Sequence, residues 1–313
     1  MDYTALSSRD IAVALQQIAH STTSHHARLI ALFQLLLPAA PTHLPLIYHT
    51  PRRQAPINRL VLSVTAKSGI YSLLTPQTAV FLHRPWDLDR RRLTPSTLVL
   101  TSHQRLDELL TTGHNTPLLH RLGCADPMVP ITGYKNDPER KMGLVARLPS
   151  SHQPLAHWIQ RITSEFQGLE STAVQDPSVV PRFLACMNAF EPTLIDQSIA
   201  AAQSISSEPV SPAQLVYLTG QSRPLGATYA ERLGMPVLCT GHRRAEVWAV
   251  NWLAQIAREV LGWEVLVVDE EREEEEMQKR KREERESLRK AMSYVLYVLP
   301  FEAYRNVVLS RID

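Results

Sequence analysis

The sequence predicts an α/β protein of two similar β-α-β lobes, and three observations carry that expectation. The apolar runs INRLVLSV (Ile57 to Val64) and VPRFLACM (Val180 to Met187) share a V/I-x-R start. Each is followed by a stretch able to form a helix and then by a second apolar run, AVFLHRP (Ala79 to Pro85) in one case and LVYLTGQSRP (Leu215 to Pro224) in the other. Arg59 thereby matches Arg182, and the Arg84-Pro85 step matches Arg223-Pro224. Finally, VLCTGHRRAEVWAVNWLAQIARE (Val237 to Glu259) passes from an apolar strand directly into helical periodicity. Strands alternating with helices favour parallel sheets, and a cleft between two such lobes is a usual home for a binding site.

Each element follows from local pattern. Ser7 and Ser8 precede an amphipathic repeat through Ile11, Ala14, Leu15 and Ile18, and a second helical stretch runs from about His25 to Leu37. The repeated prolines from Pro38 to Pro56 read mostly as loop. The first strand pair follows, then Leu98 to Leu100 leading into SHQRLDELLTTGHN. The first lobe with its leading helices is assigned to 1–135 and the second to 136–313. Within the second, SISSEPVSP is a loop, Pro236 to Cys239 a short buried strand, and a helix runs from about Arg244 through Val247, Val250, Leu253, Ile256 and Val260. The run at 269–290 mixes acids and bases, which suits a solvated helix or surface insertion better than a uniformly basic nucleic-acid arm. Apolar patterning resumes in YVLYVLPFEAYRNVVL.

Composition narrows the function classes. A chain of 313 residues with 44% hydrophobic content can bury a large core, and a net charge of +2 implies no polyanionic partner. No nucleic acid is expected as a partner. Cys124, Cys186 and Cys239 lack metal-ribbon or redox spacing and read as buried, reduced thiols. The start MDYTALSSRD has no basic and apolar signal, and the longest apolar run, Leu29 to Pro38, is too short to span a bilayer. A cytoplasmic or nuclear protein without membrane contact is expected.

Three segments end in good metal donors: LHRP with His83, SHQRLD with His103 and Asp107, and TGHRRAE with His242 and Glu246. Each donor lies just past a strand, so in parallel sheets they reach one edge. His242 and Glu246, four apart on a helix, share a face. An isolated pair of this kind more often bonds to itself or caps a helix; three clusters together favour a site. Imidazole with carboxylate suits Zn, Mn, Fe or Ni.

The order LHRP, SHQRLD-x5-GHN, DPERKMGLV (Asp137 to Val145), YLTG (Tyr217 to Gly220) and G-H-x-x-x-E resembles the Nif-three-like family, named for a yeast NGG-one-interacting factor and often called GTP cyclohydrolase I type 2 homologues. The resemblance spans roughly residues 55 to 268. It implies a Nif-three-like fold with a metal-site cleft between the lobes and a homo-oligomeric assembly. Position by position, it assigns His83, Asp107, His242 and Glu246 as metal ligands and sets His103 beside them as a proton shuttle or orienting residue. Leu82 stands where the family carries a further histidine, so one divalent ion is expected rather than two. Arg84, Arg243 and Arg244 add positive charge that repels a second cation and attracts a small anionic substrate. Two functions fit: a metal-dependent hydrolase acting on a phosphate- or nucleotide-like molecule, or a non-catalytic scaffold that binds a protein partner and keeps a degenerate metal site.

Overall fold

A computed structural model describes residues 8–38, 45–134, 137–149, 153–269 and 279–290. The chain divides into two compact units, Met1–Val268 and Asp269–Asp313. In chain order, the first unit contains α1 (Ser8–Ala19), α2 (His25–Leu36), β1 (Ile47–His49), β2 (Arg59–Thr65), α3 (Ser68–Ser72), β3 (Thr78–Arg84), β4 (Leu98–Thr101), α4 (Gln104–Leu110) and α5 (Thr116–Arg121). It continues with β5 (Ala125–Tyr134), β6 (Asp137–Arg147), α6 (Leu155–Glu165), β7 (Ser171–Ala173), β8 (Phe183–Met187), α7 (Pro192–Ser204), β9 (Leu215–Thr219), α8 (Pro224–Leu233), β10 (Val237–Cys239), α9 (His242–Leu261) and β11 (Glu264–Val268).

Two sheets result, ordered β1-β4-β3-β2-β11 and β5-β6-β8-β9-β10-β7. The expected repetition is visible in their pairing. Strands β2, β3 and β4 run parallel in one sheet, and β8, β9 and β10 run parallel in the other. In both, the third parallel strand carries a three-residue antiparallel neighbour, β1 or β7. The copies differ at the far side, where β2 meets β11 in parallel and β8 meets β6 antiparallel. They differ again after the Arg-Pro steps: Pro224 opens helix α8, while Pro85 begins a turn leading to a single 3-10 turn at Arg90–Arg92.

Side-chain alternation along the strands builds the layers. Leu60 and Leu62 of β2, Ala79 and Phe81 of β3, Leu184 and Cys186 of β8, and Val216 and Leu218 of β9 all enter one continuous core. Helix α9 supplies Ala245, Ala249, Val250, Leu253, Ala254 and Ala257 to that same core, so both sheets pack on one helix. The opposite faces form separate clusters. Val61, Val80, Leu82 and Val99 close the outer face of the first sheet, and Phe183, Ala185, Met187 and Tyr217 close that of the second. Gly143 of β6 is required by close packing, since a Cβ there would collide with the Cys186 carbonyl and the Met187 side chain of β8.

Several expectations shift. The proline-rich stretch contains β1, whose Ile47 and His49 pair with β4 beyond Pro45. The Asp137–Val145 motif lies in β6, half of a long hairpin with β5 that periodicity did not mark. Pro127 and Pro130 are accommodated because β5 is an edge strand. Helix α9 begins at His242, two residues earlier than expected. All three cysteines are buried and free. Among the described residues no helix is long and apolar enough to cross a membrane. In the second unit, residues 279–290 are helical and exposed throughout, with Lys279–Glu283 and Lys290–Glu286 pairs at 3.9 and 3.1 Å. The YVLYVLPFEAYRNVVL segment lies outside the described residues.

Candidate metal centre

The cluster assembles where β3 and β4 of the first sheet and β10 of the second sheet end. His83 continues the inward alternation of Ala79 and Phe81, which carries its imidazole onto the central face of β3 and leaves it fully buried. His103 is the N-cap of α4 and Asp107 lies in that helix's first turn. Beyond β10 the chain turns through Gly241, whose φ of 83° suits glycine. A Cβ there would also stand 2.8 Å from Glu170 Oε2. The turn sets His242 at the first residue of α9 and Glu246 one turn on, both toward the cluster.

Glu246 is the hub. Its Oε1 receives His83 Nε2 at 2.9 Å and lies 3.2 Å from His242 Nε2, and the Arg84 guanidinium donates to the same oxygen. His83 Nε2 also lies 3.4 Å from Asp107 Oδ1, and His103 Nε2 lies 3.7 Å from Asp107 Oδ2. The other nitrogen of His83, Nδ1–H, donates to the Ser102 carbonyl at 3.1 Å, which fixes the ring and aims Nε2 into the cluster. The His103 ring stacks on that of His83 with centroids 4.7 Å apart, and Trp86, itself 57% exposed, meets His103 edge-on at 4.9 Å. His103 and His242 are about half-exposed, whereas Glu246 is buried.

These contacts shape the titration. Burial disfavours charge on His83, but the close approach and charge of Asp107 and the hydrogen bond and charge of Glu246 outweigh it and raise its pKa to about 9. Burial would raise the Glu246 carboxyl, yet the bonds and charges of His242 and His83 hold it far below the usual carboxylate range. His242 is raised, first by its bond to Glu246 against the opposing effect of burial. His103 is lowered, chiefly by burial.

The structure thus brings together all five sequence-predicted residues. They form two candidate groups of donors, His83 with His103 and Asp107, and Asp107 with His242 and Glu246; within each the donor atoms lie inside 4.8 Å of one another. That spread is compatible with a shared ion at bond lengths of roughly 2.0–2.2 Å after a modest inward movement. Asp107 Oδ1 is buried without a hydrogen-bond partner among the described residues. Its nearest cation is His83 Nε2 at 3.4 Å, too far for a good hydrogen bond, and a bound cation would satisfy the oxygen more fully. The donor set therefore fits a metal.

Two features escaped the sequence reading. Arg84 bonds Glu246 directly, a contact across 162 positions that no local pattern signals. Glu108, beside Asp107, is buried and held by Gln104 Nε2 at 2.6 Å and Arg105 Nη1 at 2.8 Å, with Arg140 of β6 at 3.8 Å. Its signal was present in the QRLDE run, whose i,i+3 and i,i+4 spacings bring these groups together. Leu82 does not face the cluster; it packs on the outer cluster with Val80 and Val99.

No family model matches the sequence, and a search of curated proteins finds no match. Solved structures do match in fold. A Bacillus cereus protein related to NIF3 aligns with a TM-score of 0.50 at 10% identity, over 79% of this chain and 97% of its own. The Staphylococcus aureus protein SA1388 aligns with a TM-score of 0.54 at 13% identity, over 77% of this chain and 95% of its own. Reduced HcgD from Methanocaldococcus jannaschii aligns with a TM-score of 0.50 at 17% identity, over 78% of this chain and 97% of its own. The chain therefore has the fold of the NIF3-related proteins.

Proposed function

We propose that the chain is a divergent Nif-three-like protein whose cluster binds a divalent transition metal ion and hydrolyses a small anionic ester. The observation that carries this reading is the convergence of three imidazoles and two carboxylates from separate strand ends, with Asp107 Oδ1 buried and unbonded among the described residues. Mixed nitrogen and oxygen donors favour Zn, Mn, Fe or Ni. Such an ion supplies Lewis-acid activation of water and of an ester oxygen. His242, half-exposed at the mouth, would move a proton between a bound ester and solvent. Arg84, 29% exposed and fixed at the end of β3, adds the positive charge that an anionic substrate requires. The partly exposed Trp86 edge beside His103 leaves a planar or apolar substituent somewhere to rest.

The test is elemental analysis of the full chain beside a His83→Ala/Asp107→Ala variant, followed by hydrolysis of p-nitrophenyl phosphate and bis-p-nitrophenyl phosphate with and without added ion. Metal in the parent and none in the variant is the expected result, together with ion-dependent turnover. Equal metal in both proteins would remove the cluster as the binding site. Metal without turnover would remove the hydrolase and retain the metal centre.

A further inference from the structure

We infer that Arg84 is a resident cation holding the place of a second metal ion, so that the cluster loads one ion at His83, His103 and Asp107 and keeps His242 with Glu246 as a metal-free pair. This rests on the metal-binding reading above. The five donors form two groups that share Asp107. Two donor groups joined by a carboxylate would ordinarily accept a pair of ions. Here the groups are not equivalent.

In the group of Asp107, His242 and Glu246, the oxygen turned toward the cluster is already taken. Glu246 Oε1 meets His83 Nε2, His242 Nε2 and the Arg84 guanidinium. An ionised carboxylate has about two acceptor sites on each oxygen, so even after His83 Nε2 gives up its proton to bind the ion, His242 and Arg84 keep this one filled. A guanidinium keeps its charge in proteins, so it cannot yield by losing a proton. Arg84 is also fixed in place, as the last residue of β3 and the immediate neighbour of His83. The site beside Glu246 is thereby filled and its negative charge balanced.

The group of His83, His103 and Asp107 differs on each count. Asp107 Oδ1 is buried and without a hydrogen bond among the described residues. His83 is aimed by its bond to the Ser102 carbonyl, and His103 lies stacked against it. Two imidazoles and a carboxylate leave a fourth position for solvent or substrate, the usual composition of a reactive site. His103, expected from sequence as a shuttle, becomes a ligand; His242, bonded to Glu246, takes the proton-transfer position.

Stoichiometry decides the matter. Calorimetric titration of the full chain with Zn2+ or Mn2+, backed by elemental analysis, should saturate at one ion per chain even in large excess. Arg84→Met keeps the aliphatic stem and removes the charge, and should take two. Arg84→Lys restores the charge and should return to one. His242→Ala should keep its ion, and His103→Ala should lose it. Two ions in the parent, one ion in a folded Arg84→Met protein, or loss of the ion in His242→Ala with retention in His103→Ala would each overturn the inference while leaving metal binding intact. Absence of any ion from the parent would overturn both. Should Arg84→Met fail to fold, the parent stoichiometry and the two histidine variants still decide it.

Discussion

Loading an ion at the cluster should expel a proton from His83, and the cost of that proton should govern affinity near neutral pH. The buried imidazole donates through Nδ1 to Ser102 and through Nε2 to Glu246, which requires both nitrogens to be protonated. Its pKa, raised from 6.5 to about 9, corresponds to roughly 3 kcal/mol of preference for the charged form at about 1.4 kcal/mol per pH unit. A metal needs the Nε2 lone pair. At pH 7 the proton therefore lowers affinity by about a hundredfold relative to the fully deprotonated imidazole, and affinity should climb by about tenfold per pH unit between pH 6.5 and 8.5. His242, also raised, adds to the slope only if it surrenders its proton as well. Titration calorimetry in buffers of differing ionisation enthalpy reads the released proton directly, and repeating it across that pH range reads the slope. An affinity independent of pH, with no proton released, would refute the reasoning and show that Nε2 is not a ligand.

Two further predictions follow from the same residues. Without metal, His83's raised pKa stabilises the fold fully below pH 6.5, and that contribution is lost as pH rises through about 9, while the depressed Glu246 carboxyl stabilises it above about 4.5 and loses its effect at lower pH. Thermal melts of metal-free protein should therefore peak between roughly pH 4.5 and 6.5 and decline toward 9; a flat profile across that upper range would count against a charged His83. Leu82→His should add no metal, because position 82 faces the outer apolar cluster, and should cost about 2–4 kcal/mol by burying an imidazole without a partner. Denaturant unfolding and elemental analysis read both effects, and a gain of bound metal would contradict the assigned face.

Much of this was legible in the sequence because its physics is local. The paired β-α-β patterns announced β2 with β3 and β8 with β9, since parallel buried strands are continuous apolar runs. The five cluster residues were legible because each lies at the end of a strand or at the start of the helix that follows one. The face occupied by Leu82 could also have been read: alternation along Ala79, Phe81 and His83 leaves Leu82 on the other side, a period-two argument that outweighs the match to a paired-histidine motif. The β5-β6 hairpin was hidden by its polar, proline-bearing edge, whose pairing is decided by its neighbour rather than by its own composition. The Arg84 contact with Glu246 was hidden for another reason. It joins two segments that only the completed fold brings together.

The return of β11 to the first sheet has a consequence for how such a molecule can be divided. Strand β11 follows every element of the second sheet in the chain, yet it pairs with β2, residue for residue from Glu264 opposite Arg59 to Val268 opposite Ser63. The helix before it, α9, begins in the cluster and ends at this pairing. The two repeats are therefore clasped: a fragment ending before α9 would carry a first sheet with β2 as a bare edge, and its central core would lack the helix on which both sheets rest. Although the halves repeat one another in plan, neither is a self-sufficient module. Evolutionary change in one half must be tolerated by the other, and the segment that fastens them together is also the one that delivers His242 and Glu246.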